Sequence, residues 1–354
     1  MQDFTYNGIA TRVVFGNGAS EGLSAEIDRL GCRRALILST PQQAEQAAQL
    51  AEAIDGRSVA LFSNATMHTP VAVTDDAMAV VNDNAVDLII SIGGGSTIGL
   101  GKAIALRTDL PQIVLPTTYA GSEMTSIIGQ TENGRKTTQV TPRVQPEVVI
   151  YDVDLTLSLP AGMSGTSGIN ALAHAVEALY ARDRNPVIDL MAQEAVRAMA
   201  QSLPRIAQDP GDRDARAQAL YGAWLCGICL GSTGVALHHK LCHVVGGTFD
   251  LPHAETHSII LPHALAYNAP SVPAAMARLS AALDHDDAPL ALWNLASAVG
   301  APRGLRDLGL SREDAARVPE LALENPYWNP RPLERSGLDG LMARAWAGEA
   351  PIQE

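Results

Sequence analysis

Five of the chain's nine histidines fall in one short run, ALHHKLCHVVGGTFDLPHAETH, which ends at residue 257. His239 and His243 are four residues apart, a spacing that puts both side chains on one face of a helix. His253 follows a proline, in what reads as a loop. Because imidazole can bind a metal ion or transfer a proton near neutral pH, the run predicts a metal site or an acid–base site.

A second helical stretch, GTSGINALAHAVEALYA, repeats the four-residue spacing with Asn170 and His174. Two helices and a loop that each present a histidine to one cleft can form a three-histidine site, here His174, His239 and His253. Two ligands four apart on a helix are a common metal geometry. Three further histidines are predicted to be structural, packing or surface groups: His238, His257 and His263.

Lysine is rare in this chain, since only three of the 25 lysine and arginine residues are lysines. All three stand in conspicuous stretches: Lys102 in GLGKAIAL, Lys136 in NGRKTT and Lys240 in HHKLCH. They are therefore better functional candidates than an average lysine, although a surface role remains open for Lys136.

A glycine-rich turn in DLIISIGGGSTIGLGKAIAL predicts a phosphate-binding loop between a strand and a helix. Gly93, Gly94 and Gly95 have no Cβ, so the backbone can turn sharply and approach a ligand. The helix that follows offers free N–H groups and a positive dipole end to a pyrophosphate, and Ser96 adds a hydroxyl. The turn is neither GxGxxG nor a Walker loop, and the alternative is a turn that only connects two elements.

The next predicted strand ends in LPTTYAGSEMTS, at the carboxyl edge where open α/β sheets bind ligands. An acid that binds the ribose 2′-OH is expected after an earlier strand, but LILSTPQQ supplies Ser39 instead. Without a carboxylate to repel a 2′-phosphate, both NADH and NADPH should be accepted. Beyond the glycine turn, the predicted cofactor contacts are Ser39, Thr117, Thr118, Ser122 and Lys136.

The order of elements predicts two domains. In the first 155 residues, helical patterns alternate with buried strands, which indicates βαβ units and a parallel sheet; the predicted strands are 34–40, 57–63, 86–92, 112–118 and 147–152. A hairpin is expected near 132–136. After Pro160 the pattern is helical throughout, with segments at 165–181, 187–208, 213–232, 234–246, 271–284 and 288–300. We predict an α/β domain over 1–157, an all-helical domain over 158–354, and an active site between them.

Composition excludes several partners. The net charge is −13 and aromatic residues make up 4 % of the chain, which argues against nucleic acid or an anionic membrane as a partner. Four cysteines in 354 residues are no disulfide scaffold, and Cys226 and Cys229 are predicted to be buried helix residues. The N-terminal residues do not resemble a signal peptide, so a cytoplasmic protein is expected.

Four motifs occur in the order seen in the iron-containing alcohol dehydrogenase superfamily: GGGSTIGLGKAIAL, LPTTYAGSEMT, NALAHAVEALYA and HHKLCHVVGG. The resemblance covers essentially the whole chain. It implies a Rossmann-like dinucleotide domain followed by an all-α domain, the dehydroquinate synthase-like fold, and a homodimer. Within the superfamily the chain resembles the members that use NADH or NADPH to reduce the C=C bond of a dicarboxylate enone during aromatic-compound degradation.

One position departs from the metal-dependent members. Those members bind iron or zinc with an aspartate and three histidines, and the matching positions here are Asn170, His174, His239 and His253. A neutral amide is a weaker ligand than a carboxylate, and the ion would keep its full charge in a buried cleft. Three histidines and a water could still hold zinc. We favour a site without metal.

The resemblance also implies a mechanism. Hydride would add to the alkene carbon β to a ketone, and His174, His239 and His253 would stabilise the enolate. His243 is the predicted proton donor. Lys240 is the first candidate for holding a substrate carboxylate. Further predicted substrate contacts are Arg331, Asn170, Tyr119 and, with less support, Lys136.

Three other functions remain alternatives. A metal-dependent alcohol dehydrogenase or aldehyde reductase could use the same scaffold, and metal analysis would separate it. A dehydroquinate-synthase-like lyase, which uses NAD without net redox change, would need an intact metal site, and Asn170 argues against that. A non-catalytic cofactor-binding protein would leave the clustered histidines without a role.

Overall fold

The computed structural model describes residues 3–353, apart from the side chain of Lys136. These residues form two compact units: Gly8–Leu159, and a second unit made of residues 3–7 and 160–353. The first unit contains the strands and the second is helical.

A six-stranded parallel sheet forms the centre of the first unit, with strands in the order β1-β8-β5-β4-β2-β3. A separate antiparallel hairpin consists of β6 and β7. In chain order the strands are β1 (Arg12–Gly16), β2 (Ala35–Leu38), β3 (Ser58–Phe62), β4 (Leu88–Gly93), β5 (Gln112–Pro116), β6 (Ile127–Glu132), β7 (Arg135–Val140) and β8 (Val148–Asp152).

Helices cover both faces of this sheet. They are α1 (Leu23–Leu30), α2 (Ala44–Ala53), α3 (Val71–Asp83) and α4 (Gly95–Thr108). Apolar residues of α1 and α2 pack on one face, while those of α3 and α4 pack on the other. The central strands are therefore buried on both sides, which explains why they read as continuous apolar runs such as ALIL and LIISIG.

The order of the strands reverses between β2 and β4. From β2 the chain continues to β3 at one edge of the sheet, and it then returns to β4, on the other side of β2, and continues towards the opposite edge. Ligands of open α/β sheets bind at the carboxyl ends of strands where the order reverses. The glycine turn after β4 lies at this point.

Nine helices make up the described part of the second unit. They are α5 (Ala161–Ala178), α6 (Pro186–Gln208), α7 (Arg213–Ser232), α8 (Leu237–Phe249), α9 (His253–Asn268), α10 (Pro273–Leu283), α11 (Ala288–Ala298), α12 (Arg312–Glu324) and α13 (Arg335–Ala347). Helix α5 is buried along almost its whole length. A Cβ on Gly168 would lie 2.5 Å from the side chain of Leu203, so the glycine lets α5 and α6 approach closely.

The predicted α/β and all-helical architecture is confirmed, and the hairpin forms around the turn residues Asn133 and Gly134, which both have positive φ. Some elements were missed. The sequence pattern did not indicate β1, α12 or α13, and it treated the segment after residue 252 as a loop, whereas α9 begins at His253. A helix that is buried around its circumference shows no clear apolar stripe, and nearly every residue of α9 after Glu255 is buried.

Two further observations concern the burial of the cysteines and the length of the helices. Cys226 and Cys229 are free, buried residues of α7, and burial raises the pKa of the Cys229 thiol to about 12. Among residues 3–353 no single helix is long and apolar enough to cross a bilayer; α7 and α8 together, bent by 94°, meet only the length and composition requirement.

Candidate active site

Close packing makes two of the three glycines necessary. Gly93 ends β4 with φ of +150°, and a Cβ there would lie 2.5 Å from Thr97 Oγ1. A Cβ on Gly94 would lie 2.8 Å from the side chain of Thr118. Gly95, the first residue of α4, is exposed, and a Cβ there would meet nothing within 4 Å. The turn therefore leaves open space directly at the N-terminus of α4, where an anion would bind.

Hydroxyl groups surround this helix end. Thr97 Oγ1 and Ser122 Oγ are buried with no hydrogen-bond partner. Gln43 donates to Thr117 Oγ1 at 2.8 Å, which joins the segment after β2 to the segment after β5. Unpartnered buried hydroxyls are uncommon in folded proteins, so these groups are available to a ligand.

Three predicted contacts have a different setting. Ser39 is fully buried and its hydroxyl donates to Ser63 Oγ at 2.9 Å, so it does not offer a free group to a ribose. Tyr119 is also fully buried. The prediction for the Lys136 side chain lies outside the described residues; its backbone pairs with Thr131 in the hairpin.

In the helical unit, α5, α8 and α9 bring the predicted histidines together. The rings of His174 and His239 stack with centroids 5.0 Å apart. His239 and His243 have centroids 6.0 Å apart. His253 is exposed and lies against His257, with centroids 4.3 Å apart. Helices α5, α8 and α9 therefore place these four histidine side chains in one cluster.

Two histidines that we predicted to be structural or packing groups belong to the same cluster. His238 Nε2 lies 2.9 Å from His257 Nδ1, and both residues are fully buried. One ring nitrogen of each of His238, His239 and His257 lies within 4.8 Å of the others. The burial of His257 agrees with a packing role, but its place in the cluster was not predicted because the segment was read as a loop. On a helix, His253 and His257 share a face.

Glu177 is the most important residue that sequence reasoning missed. It lies three residues after His174 on α5 and is 1 % exposed. Its Oε2 lies 2.6 Å from His239 Nδ1 and accepts from the Ala236 N–H at 2.7 Å, while Oε1 accepts from the His238 N–H at 2.8 Å. One carboxylate thus accepts hydrogen bonds from two backbone N–H groups at the start of α8 and fixes the ring of His239. The spacing of Asn170, His174 and Glu177 on one helix face could have revealed it.

Burial keeps most of the cluster uncharged. Desolvation lowers the pKa of His174 well below its usual value of 6.5, and the neighbouring imidazoles lower it further. The same causes lower the pKa of His238 and of His257. These three rings are therefore neutral at pH 7.

His243 is exposed, unlike the buried histidines of the cluster. Its Nδ1 lies 2.9 Å from the hydroxyl of Tyr327, and the ammonium of Lys240 lies 5.5 Å from the centre of the Tyr327 ring. Tyr327 was not among the predicted site residues; it lies in the proline-rich segment between α12 and α13. Tyr327 thus lies beside both His243, the predicted proton donor, and Lys240, the predicted carboxylate ligand.

The loop that carries Tyr327 is anchored to the end of α9. Asn329 and Asn268 exchange side-chain hydrogen bonds of 2.7 and 2.9 Å. The Tyr267 hydroxyl donates to the Pro332 carbonyl at 2.7 Å. Two asparagines and a tyrosine therefore hold the loop that positions Tyr327.

Arg331 belongs to this anchor. Its guanidinium donates to the Tyr267 carbonyl at 2.8 Å and stacks over the Tyr267 ring at 4.4 Å. Tyr267 lies ten residues beyond His257, about 15 Å along α9. Arg331 also lines a small cavity of 10 Å³ with His263 and Arg344. These contacts do not support the prediction that Arg331 holds a substrate carboxylate beside the histidine cluster.

Family profiles match most of the chain. Residues 10–153 match the profile described as iron-containing alcohol dehydrogenase, and residues 164–346 match the C-terminal part of the Fe-containing alcohol dehydrogenase family. The chain therefore belongs to the iron-containing alcohol dehydrogenase family, and the resemblance inferred from its motifs is confirmed.

Several similar proteins within the family are maleylacetate reductases. A maleylacetate reductase of Rhizobium sp. is 54 % identical over 351 residues, covering 99 % of this chain and all of that protein. One from Sphingobium indicum is 54 % identical over 349 residues, with 99 % of each chain covered. The crystal structure of maleylacetate reductase from Agrobacterium tumefaciens matches with a TM-score of 0.96 and 53 % identity, covering 99 % of this chain and 100 % of that one.

The family name implies iron, and the cluster meets this requirement only in part. Four buried side-chain atoms without partners are of a type that binds divalent ions: His239 Nε2, His257 Nε2, His174 Nδ1 and Asn170 Oδ1. None of them belongs to a carboxylate, however. The carboxylate of Glu177 already makes three hydrogen bonds, so it does not bind an ion directly. The donor set lacks the anionic ligand that would offset the ion's charge.

The three bonds of Glu177 lead to the first prediction. In Glu177→Gln, the new NH₂ group must face at least one of the N–H donors that the carboxylate accepted, so we expect a loss of about 2–3 kcal/mol in the free energy of unfolding. Denaturant unfolding would measure the loss, with the exposed Glu349→Gln as a control that changes it by less than about 0.5 kcal/mol. Equal stability of the two variants would show that these bonds do not support α8.

Proposed function

We propose that this protein reduces maleylacetate to 3-oxoadipate with NADH or NADPH. The observation that carries the proposal is the 54 % identity to a maleylacetate reductase over 351 residues. The cluster of histidines supports it, since enone reduction needs both stabilisation of an oxyanion and a proton donor.

The reaction balances with one hydride and one proton. Maleylacetate carries a C=C bond conjugated to a ketone. A bound NADH or NADPH would supply a hydride to the alkene carbon β to the ketone, and the π electrons would move to the ketone oxygen. Protonation of the α-carbon then restores the ketone, which yields 3-oxoadipate and oxidised nicotinamide.

The buried imidazoles stabilise the enolate. His174 and His239 stack against each other, and each has a buried ring nitrogen without a partner. Glu177 binds Nδ1 of His239 and thereby fixes the orientation of that ring, against which His174 stacks. The unpartnered Nδ1 of His174 is the proposed donor to the developing charge, and a donor held in place by packing acts without reorganisation. His253, at the exposed end of the cluster, completes this set.

His243 is our proposed proton donor. It is exposed, so it can regain a proton from solvent after each turnover, which the buried histidines cannot do readily. Its bond to Tyr327 fixes one ring nitrogen. Histidine is suited to this step because its unperturbed pKa lies near neutral pH.

Lys240 and Asn170 are the proposed substrate contacts. Lys240 lies next to His239 in sequence and near Tyr327, so its ammonium can bind one carboxylate of the substrate. Asn170 has a buried amide oxygen without a partner and shares the helix face of His174. A locally cationic site can exist in a chain of net charge −13, because protein fields are local.

We propose that the reaction needs no metal and accepts both nicotinamides. The first proposal is supported by the absence of a carboxylate among the four unpartnered ligand atoms. The second is supported by the segment STPQQ after β2, which contains no carboxylate to repel a 2′-phosphate. We also propose that the protein is cytoplasmic and binds neither nucleic acid nor membrane. It is further proposed to be a homodimer, which is supported by the apolar Phe15, 41 % exposed on edge strand β1, where a second copy can pack.

Steady consumption of NADH with maleylacetate, and none with simple aldehydes, is the expected result in a spectrophotometric assay. We expect full activity after dialysis against a chelator, with less than one equivalent of metal in the protein. Activity that disappears on chelation and returns with Fe²⁺ or Zn²⁺ would contradict the metal-free mechanism. Turnover of aldehydes instead of maleylacetate would favour a metal-dependent alcohol dehydrogenase.

The proton donor can be tested on α8. Removing a general acid typically lowers kcat by about 10²–10⁴-fold, so we expect this loss in His243→Ala, with NADH binding preserved. Tyr327→Phe removes one hydrogen bond and should lower kcat by about tenfold. The exposed loop residue His285 provides the control His285→Ala. Near-normal turnover of His243→Ala would refute the assignment.

The open space at Gly95 gives a test of the cofactor site. A methyl group there meets no protein atom, so Gly95→Ala should fold with a stability within about 1 kcal/mol of the parent chain. A pyrophosphate at this helix end would collide with the methyl group, and we expect the Kd for NADH to rise about tenfold or more. The matched control is Gly162→Ala on α5, which also meets nothing within 4 Å. Equal NADH affinity of both variants would place the pyrophosphate elsewhere.

A further inference from the structure

Lys102 is a buried lysine for which the proposed reaction has no role. It lies on α4 and is 1 % exposed. Its Nζ donates to the Ser122 carbonyl at 2.7 Å, the Thr125 carbonyl at 2.6 Å, Thr125 Oγ1 at 2.9 Å and the Ile127 carbonyl at 3.0 Å. Three separate backbone carbonyls of one short segment are thus bound to a single ammonium.

The charges around Lys102 favour this arrangement. Burial lowers the pKa of Lys102 to about 7, while the nearby Glu123 raises it. Glu123 is itself buried and accepts from the Tyr151 hydroxyl at 2.7 Å. Four oxygens around one nitrogen suit an ammonium, which has three donors, better than a neutral amine, which has two.

The bound segment forms the wall of the glycine turn. At its start, the Thr117 N–H donates to the Gly93 carbonyl at 3.0 Å, and the side chain of Thr118 packs on Gly94. At its end, Lys102 holds residues 122–127. Lys102 lies seven residues after Gly95, two helical turns along the same face of α4. One helix therefore supplies both the free N-terminus and the anchor for the segment beside it.

Ser122 links the contacts of Lys102 to the predicted cofactor site. Its carbonyl accepts from Lys102, whereas its hydroxyl is buried with no partner. The bond to Lys102 fixes the backbone from which this hydroxyl projects. Loss of the bond would allow the backbone to rotate and move the hydroxyl.

We propose that Lys102 is a positioning residue for the dinucleotide, which holds segment 117–127 so that Thr118 and Ser122 stand beside the N-terminus of α4. It acts through these residues and does not touch the cofactor. The inference rests on the proposed function only in taking NADH as the ligand of this cradle. A purely structural role would instead lower stability without a specific effect on cofactor affinity.

The test is direct NADH binding, measured by quenching of protein fluorescence without maleylacetate. We expect Lys102→Met to raise the Kd for NADH about tenfold or more, while kcat at saturating NADH stays within about threefold of the parent value. Hydrogen exchange should accelerate in the amides of residues 121–127.

Two further variants keep the inference testable if Lys102→Met does not fold. Thr125→Val preserves shape and removes one of the four oxygens, so we expect a smaller rise in Kd, about two- to fivefold. Thr108→Val removes a side-chain hydrogen bond at the opposite end of α4 and should leave the Kd unchanged.

Four outcomes would decide between these roles. A folded Lys102→Met with the parent Kd, or equal effects of Thr125→Val and Thr108→Val, would overturn the inference. Parent protein that binds NADH without reducing maleylacetate would refute the proposed function and leave this test intact. Parent protein that binds neither NADH nor NADPH would overturn both, before any variant is compared.

Discussion

The buried carboxylate of Glu177 is the constraint on which the histidine cluster depends. It accepts hydrogen bonds from two backbone N–H groups at the start of α8 and binds the ring of His239. Without it, the first turn of that helix would have unsatisfied donors in a buried environment, which is costly. The same contact sets the orientation of His239 and, through stacking, the position of His174. One carboxylate therefore links the fold of the helical unit to the chemistry of its site.

The sequence predicts features that depend on local pattern. Alternating runs such as ALIL and LIISIG indicate the parallel sheet, the glycine turn marks the start of α4, and the spacing of Asn170 and His174 identifies one face of α5. These features follow from strand and helix geometry, which acts over a few residues. The same local reasoning identified His239 and His243, because both lie on one helix.

Features that depend on distant partners could not be predicted. Ser39 has the residue type expected for a ribose contact, but its hydroxyl is taken by Ser63, 24 positions away. Arg331 has the charge expected for a carboxylate ligand, but it is bound to Tyr267. Tyr327 reaches His243 across 84 positions of sequence. Residue type gives the chemical capacity of a side chain, while its tertiary neighbours decide whether that capacity is free.

Asn170 differs from an aspartate by one group, an amide nitrogen in place of a carboxylate oxygen. Its side chain occupies the same volume, and its oxygen is buried without a partner, four residues before His174 on α5. The packing around it does not have to change for the local charge to change by one unit. On the proposed metal-free mechanism, two catalytic strategies on this scaffold are therefore neighbours in sequence space: a single substitution at this position separates a metal site from an imidazole site and leaves the fold intact.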